Sequence, residues 1–179
     1  MLLKTERILD RFSDIVGWIA GVLMLVMLVN VFYDAIMRYF FRTGSIAMQE
    51  MEWHLFSVVF LLGMSYTLKE EGHVRVDILY DNFKPKLKAI VNIAGTFLFL
   101  IPLAVLIING SVWFVHEAYV MGEISGDPGG LTHRYLIKAA IPISFVCLII
   151  SSIGFVVRNI RLYRGLELSP PLHTEDDVL

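Results

Sequence analysis

The sequence predicts an all-α integral membrane protein with four transmembrane helices, at least two of them long and tilted, and with both termini in the cytoplasm. Hydrophobic residues make up 56% of the 179 residues and charged residues only 18%, whereas soluble domains average roughly 45–50% and ~25%. The apolar residues are concentrated in four long runs. A membrane-spanning helix needs ~20 such residues, and the short alternating segments of a transmembrane barrel are not found in the sequence.

The four helices are predicted at about residues 5–41, 46–70, 78–118 and 134–162, in one transmembrane domain over residues 1–165. Before the first apolar run, charged residues share one helical face and apolar residues another, which indicates an amphipathic beginning. At 1.5 Å per residue the first and third helices are longer than a ~30 Å bilayer core, so they must tilt or protrude. The N-terminus lacks the pattern of a cleaved signal peptide. Residues 166–179 are polar and acidic, and we expect them to be disordered.

The lysines and arginines predict the orientation. Eleven of the 15 lie in the N-terminal segment, the loop between helices 2 and 3, and the C-terminal segment, and the other four lie in the remaining two loops. Cytoplasmic loops carry the excess of positive charge, so this distribution predicts cytoplasmic termini. The basic residues sit at the ends of apolar runs and form no basic face, so we expect no nucleic-acid partner. Cys147 is the single cysteine, so no disulfide within the chain is expected.

A polar face on helix 1 is formed by Asn30, Asp34 and Arg38, which are spaced at i, i+4 and i+8. Aspartate four residues before arginine is a favourable order for a helical ion pair. The simplest interpretation is an ion pair within the helix near the membrane surface. Two functional interpretations stay open, an anchor for a partner helix and a carboxylate that carries protons.

Each of the other three helices carries a stripe of polar and small residues. Such residues let transmembrane helices approach closely, so we expect the stripes to pack inside the four-helix domain. The opposite faces, rich in leucine, isoleucine and phenylalanine, would meet lipid or a partner. The stripes comprise Glu50, His54, Ser57 and Ser65 on helix 2; Asn92, Gly95, Thr96, Asn109, Gly110, Trp113 and Glu117 on helix 3; and Ser144, Cys147, Ser151 and Gly154 on helix 4.

Two alternative functions from other classes are compatible with these residues. His54 and His116 are predicted near the same membrane surface, and a haem-bearing membrane anchor of a redox complex would need such a pair. A self-contained four-helix exporter acting as a homodimer would use Asp34 as its proton-coupled carboxylate.

The stretch "GHVRVDIL", residues 72–79, alternates apolar and charged residues between two apolar runs. This alternation predicts a short extended segment at the cytoplasmic surface, with Asp77 as a candidate N-cap of the third helix. Its apolar side would face the membrane, and its polar side would face water or another chain.

The pattern "W…F…LLGMSYTLKEEGHVRVDIL" resembles the signature of the small membrane subunit of tripartite ATP-independent periplasmic (TRAP) transporters. The stretch "GDPGGLTHRYLIKAAIPI", residues 126–143, is similar to the entry into the last helix of that family. The resemblance extends from helix 1 to helix 4. The matching positions are Glu50, Glu52, Trp53, Gly63, His73, Val74, Arg75, Val76 and Asp77.

The resemblance implies a DctQ-like subunit in a bacterial inner membrane that is not an enzyme and has no catalytic residue, cofactor or metal site of its own. Its expected partners are a large membrane permease subunit, in a stable heterodimer, a periplasmic substrate-binding protein, in transient contact, and the lipid bilayer. Uptake of a carboxylate or sulfonate by symport with sodium would take place in the large subunit. The partner-interface candidates are Asp34, Arg38, Glu50, Glu52, Trp53, Gly63, His73, Arg75, Asp77, Asp127, Gly129 and Gly130.

Overall fold

A computed structural model of the chain describes residues 2–72, 80 and 83–166, and these residues form four long helices without any strand. Helix α1 comprises Leu2–Phe40, α2 Ile46–Lys69, α3 Pro85–Val120 and α4 Tyr135–Tyr163. The all-helical prediction is confirmed for the described part of the chain. The alternating segment after residue 72 and the acidic tail from residue 167 onward lie outside the described residues.

Helices α2 and α4 begin and end within one residue of their predicted bounds. Helix α3 begins at Pro85, where a missing N–H costs no hydrogen bond because the first helical turn leaves it unpaired. Among the described residues, α1, α3 and α4 are long and apolar enough to cross a membrane. The first half of α2 carries Glu50, Glu52 and His54, which lower its mean hydropathy.

Helix α4 lies at the centre of the domain, where it contacts α1, α2 and α3. Helices α1 and α2 also pack on each other, whereas α3 packs mainly on α4. Two glycines allow α1 to pack closely against α2 and α4. A Cβ atom on Gly17 would lie 2.6 Å from the Tyr66 ring, and one on Gly154 would lie 3.0 Å from the Cβ of Leu9. Close approach at small residues is the usual way that membrane helices pack.

Serines fill much of the interior. The hydroxyls of Ser13 on α1 and Ser151 on α4 lie 2.8 Å apart and hydrogen-bond between the helices. Ser65, Ser144 and Ser152 are completely buried. The predicted inward faces of α2 and α4 are therefore confirmed. Leu68, Leu148 and Phe155 form a small apolar core beside the serines, and most other large apolar side chains lie on the outside, where lipid or another chain would cover them.

The predicted stripe on α3 is wrong in its second half because of a π-helical turn at Thr96–Leu100. The N–H of Ile101 donates to the carbonyl of Thr96, five residues back, just before Pro102, which has no N–H to donate. One extra residue in the turn shifts the buried face of the helix. The buried positions run Ala89, Thr96, Ala104, Ser111 and Ala118, with a step of eight at the turn and seven elsewhere. Asn109, Gly110 and Trp113 are consequently turned outward and exposed.

A buried ion pair joins the first helix to the last. Glu6 is 2% exposed and Arg161 is 4% exposed, and the Arg161 guanidinium donates to the Glu6 carboxylate. Arg158, one turn away, lies 3.8 Å from Glu6 and 3.4 Å from Asp10. These contacts place the beginning of α1 and the end of α4 at the same end of the domain, which we call the terminal end.

Helix α2 is tied into the same cluster. The Lys69 ammonium at its end donates to Asp14 of α1 and lies 3.0 Å from Glu70. The Arg158 guanidinium also donates to the Lys69 carbonyl at 2.9 Å, which satisfies one of the unpaired carbonyls at the end of α2. Charged groups thus fasten three of the four helices at the terminal end.

We expect Arg161→Ala to destabilise the protein strongly, because it leaves the Glu6 carboxylate buried with only the more distant Arg158. Loss of one partner of a buried ion pair costs about 3–5 kcal/mol. Thermal unfolding of the purified protein in detergent measures the effect. Arg164→Ala, at an exposed position three residues further on, is the matched control and should change the midpoint little. Equal midpoints for the two variants would contradict a stabilising role for the pair.

Candidate partner interface

At the opposite end of the domain, which we call the loop end, α1 and α3 finish and α2 and α4 begin. The predicted pair on α1 is confirmed there, with Arg38 Nε lying 2.9 Å from Asp34 Oδ2. Asp34 is buried, whereas the Arg38 side chain is 50% exposed. Asn30, one turn earlier, donates to the carbonyl of Met48 at 3.0 Å, which joins α1 to the first turn of α2. The three predicted polar residues therefore share one face, on which Asn30 bonds to α2 and Asp34 pairs with Arg38 within α1.

Glu50 on α2 fastens the loop between α3 and α4. Its buried carboxylate accepts a hydrogen bond from the Ser125 hydroxyl through one oxygen and from the backbone N–H of Leu131 through the other. Both donors belong to the segment 121–134. A carboxylate that accepts two hydrogen bonds is a strong anchor, because bonds to a charged acceptor are roughly twice as strong as neutral ones.

Glycine is required at the point where this loop reaches Glu50. A Cβ atom on Gly130 would lie 2.5 Å from the Ser125 side chain and 2.8 Å from Glu50 Oε2. Gly129 has φ +84°, a left-handed conformation that favours glycine. The N–H of Gly130 donates to the carbonyl of Asp127 at 3.0 Å, which closes the turn, and the Asp127 side chain is exposed. These three predicted residues form one tight turn against α2.

Aromatic and basic side chains surround the start of α2. Trp53 is 41% exposed and stacks on His54, with 4.0 Å between the ring centroids. The Arg134 guanidinium at the start of α4 lies 5.5 Å from the Trp53 ring, a cation–π distance. Glu52 lines a groove of about 460 Å³ between α1 and α2 at the loop end. The other residues that line the groove are Met27, Arg38, Gln49, Trp53 and Phe56.

A second fastening of the loop was missed by the sequence reasoning. The Lys138 ammonium on α4 donates to the carboxylate of Glu123 and lies 3.9 Å from the centroid of the Phe114 ring on α3. Arg134 Nε lies 3.7 Å from the same carboxylate. An acidic residue at one end of a loop and basic residues at the other is the signal that could have indicated this contact.

The remaining candidates are distributed differently. Gly63 lies on α2, and a Cβ atom there would meet no atom within 4 Å, so packing inside this chain does not require glycine. His73, Arg75 and Asp77 lie outside the described residues. The loop end thus brings together eight of the twelve candidates, all except Gly63 and the three in this segment. The eight are Asp34, Arg38, Glu50, Glu52, Trp53, Asp127, Gly129 and Gly130. His54, which was not among the candidates, lies beside them through its stacking on Trp53.

The two histidines of the haem hypothesis occupy different environments. His54 is 9% exposed and stacks on Trp53, whereas His116 on α3 is exposed. Among the described residues, no group of three or more histidine, cysteine, aspartate or glutamate side chains is arranged to hold a metal ion. At the loop end, Glu50 and Glu123 are bound to the loop or to α4, whereas His54 Nδ1 is buried without a hydrogen-bond partner among the described residues.

Together these features define a multi-pass helical membrane protein whose interior polar groups fasten the helices and one loop. The chain belongs to the family described as "Tripartite ATP-independent periplasmic transporters, DctQ component", whose model matches residues 27–162. It is also similar to a protein of Haemophilus influenzae assigned as a TRAP transporter small permease. The two are 31% identical over 140 residues, which cover 76% of this chain and 86% of the relative.

We expect Gly130→Ala to detach the loop from α2, because the added methyl group would overlap Ser125 and Glu50. Overpacking of this kind costs about 1–3 kcal/mol. Hydrogen exchange of the backbone amides of residues 121–134 reports the change, and Leu131 should exchange faster in the variant. Gly126→Ala is the control, since a Cβ atom there meets no atom within 4 Å. Equal protection of Leu131 in both variants would refute the anchoring role of Glu50.

Proposed function

We propose that this protein is the small membrane subunit of a TRAP transporter in a bacterial inner membrane. In this proposal it forms a stable complex with a large permease subunit, and the complex takes up an organic anion, a carboxylate or a sulfonate, by symport with sodium. A periplasmic binding protein delivers the anion. The observation that carries the proposal is the family match over residues 27–162.

The proposed role of the chain in this complex is that of a fixed scaffold. Its buried carboxylates are engaged within the chain, Glu6 with Arg161, Asp34 with Arg38, and Glu50 with the loop. Substrate and sodium would therefore bind in the large subunit, where we also place the transport movement. In this proposal the chain supports the large subunit and is not an enzyme.

The proposed topology has four spans and cytoplasmic termini. Helix α2 would be the fourth span, since its contacts with α1 and α4 hold it alongside two apolar helices. The terminal end, which carries Arg158, Arg161 and Lys69, would lie at the cytoplasmic surface, as the positive-inside rule predicts. The loop end would face the periplasm, where Asp127 and the loop could be reached by the binding protein.

A pull-down from native membranes tests the assignment. The tagged chain is solubilised in a mild detergent, and the proteins that accompany it are identified and quantified by mass spectrometry. We expect a large polytopic permease in about one-to-one ratio with the tagged chain. Recovery of the chain alone, or only with further copies of itself, would refute the proposal.

Asp34→Asn should leave the sodium dependence of transport unchanged, because the proposal gives this carboxylate a structural role beside Arg38. The test is uptake by the reconstituted three-component system as a function of sodium concentration. Asn is nearly the same size as Asp, so the packing of the helix is kept. A shift in the half-saturating sodium concentration would contradict a purely structural role and would favour ion coupling through this chain.

A further inference from the structure

The π-helical turn leaves one face of α3 bare. This face lies opposite the buried residues Ala104 and Ser111, since residues separated by two or five positions point in roughly opposite directions on a helix. We call it the outer face of α3. It comprises Leu106, Asn109, Gly110 and Trp113. Leu106 is 69% exposed and Trp113 is 66% exposed, so this chain covers little of it.

Asn109 lies within the apolar part of α3 that is long enough to cross a membrane. Val105 and Val112, the neighbours on the same helix, are apolar and exposed. The Lys138 ammonium over the Phe114 ring marks the height of the polar layer at the loop end. Asn109 is five residues nearer the middle of the span, which is about 7.5 Å deeper at 1.5 Å per residue.

The Asn109 side chain makes no hydrogen bond with the described residues. Lipid acyl chains offer no donor or acceptor, so an amide that faces them is left unsatisfied. Asparagine in membrane helices is accordingly found where it bonds to a neighbouring helix. Asn109 points away from this chain, so the neighbour that satisfies it must come from elsewhere.

Gly110, next to this amide, provides the room for such a neighbour. A Cβ atom on Gly110 would meet no atom within 4 Å, so glycine is not needed for packing inside this chain. Glycine weakens a helix, but it lets the backbone of a second helix come close. The most apolar part of α3 is also only 11% buried in this chain, less than that of α1 or α4.

We propose that the outer face of α3 binds a transmembrane helix of the large permease subunit. Asn109 donates or accepts a hydrogen bond across this contact, and Gly110 lets the two backbones approach. The partner helix therefore carries a hydroxyl or amide side chain, or an accessible backbone carbonyl, at the matching height. This inference rests on the proposed function, since it assigns the surface through which the two membrane subunits meet.

Co-purification of the tagged chain with the large permease tests the inference, with Asn109→Leu and Gly110→Leu as variants. Leucine suits a lipid-facing helix better than either native residue, so the chain by itself should fold at least as well. We expect Asn109→Leu to weaken the association by about three- to thirty-fold, the range measured for interhelical hydrogen bonds. Gly110→Leu should reduce it further by steric exclusion. Gly21→Leu on α1, where a Cβ atom also meets nothing within 4 Å, should have no effect.

The outcomes separate this inference from the proposed function. Recovery of the permease by the wild-type chain and by Gly21→Leu, with loss in both α3 variants, supports the inference. Undiminished recovery of the permease by both α3 variants overturns the inference and leaves the proposed function standing. A loss of permease in Gly21→Leu equal to the loss in the α3 variants has the same meaning. Failure of the wild-type chain to recover any permease overturns both. A thermal midpoint of the purified variants at or above that of wild type confirms that a loss comes from the interface.

Discussion

The structure depends on the buried pair of Glu6 and Arg161, because it joins the first helix to the last. A charge removed from water costs several kcal/mol unless a partner and hydrogen bonds compensate for it. Arg158 and Asp10 supply that compensation, and the Arg158 bond to the carbonyl of Lys69 extends the cluster to α2. A misplaced helix would leave at least one of these charges without a partner, so the cluster selects one arrangement of α1, α2 and α4.

The loop end uses the same principle with different groups. Glu50 fastens the loop through the Ser125 hydroxyl and a backbone N–H, and Glu123 fastens its base to α4. Between the two ends, serines and glycines allow close helix contacts, and Leu68, Leu148 and Phe155 form a small apolar core. Ion pairs and charge-assisted hydrogen bonds thus hold the helices together at both ends, and close packing of small residues with a small apolar core holds them together in the middle.

Local patterns could be predicted from the sequence, and contacts between distant residues could not. The i, i+4 spacing of Asp34 and Arg38 predicted their ion pair, and helical periodicity predicted the inward faces of α2 and α4. The need for glycine at residue 130 depends on Glu50, 80 positions earlier, which no local spacing indicates. Periodicity also failed on α3, because it assumes a constant number of residues per turn and the turn before Pro102 adds one. At the start of α1 the two-faced pattern did not indicate burial either, since Glu6 is buried and the apolar Ile8 is 68% exposed.

Exposed apolar residues are weak evidence of a partner in a membrane protein, because lipid covers them as well as a protein does. Leu98 and Phe99 are 68% and 75% exposed, and either environment would satisfy them. A polar side chain at the same depth distinguishes the two, since hydrocarbon cannot form a hydrogen bond. The π-helical turn matters for this reason. Without it, the step of seven would have continued from Thr96 to residues 103, 110 and 117, so Gly110 would have belonged to the packed face. With the turn, the small residues Ala104, Ser111 and Ala118 face α4. Asn109 and Gly110 lie on the outer face. A single helix thus has one face for α4 and another for a second neighbour.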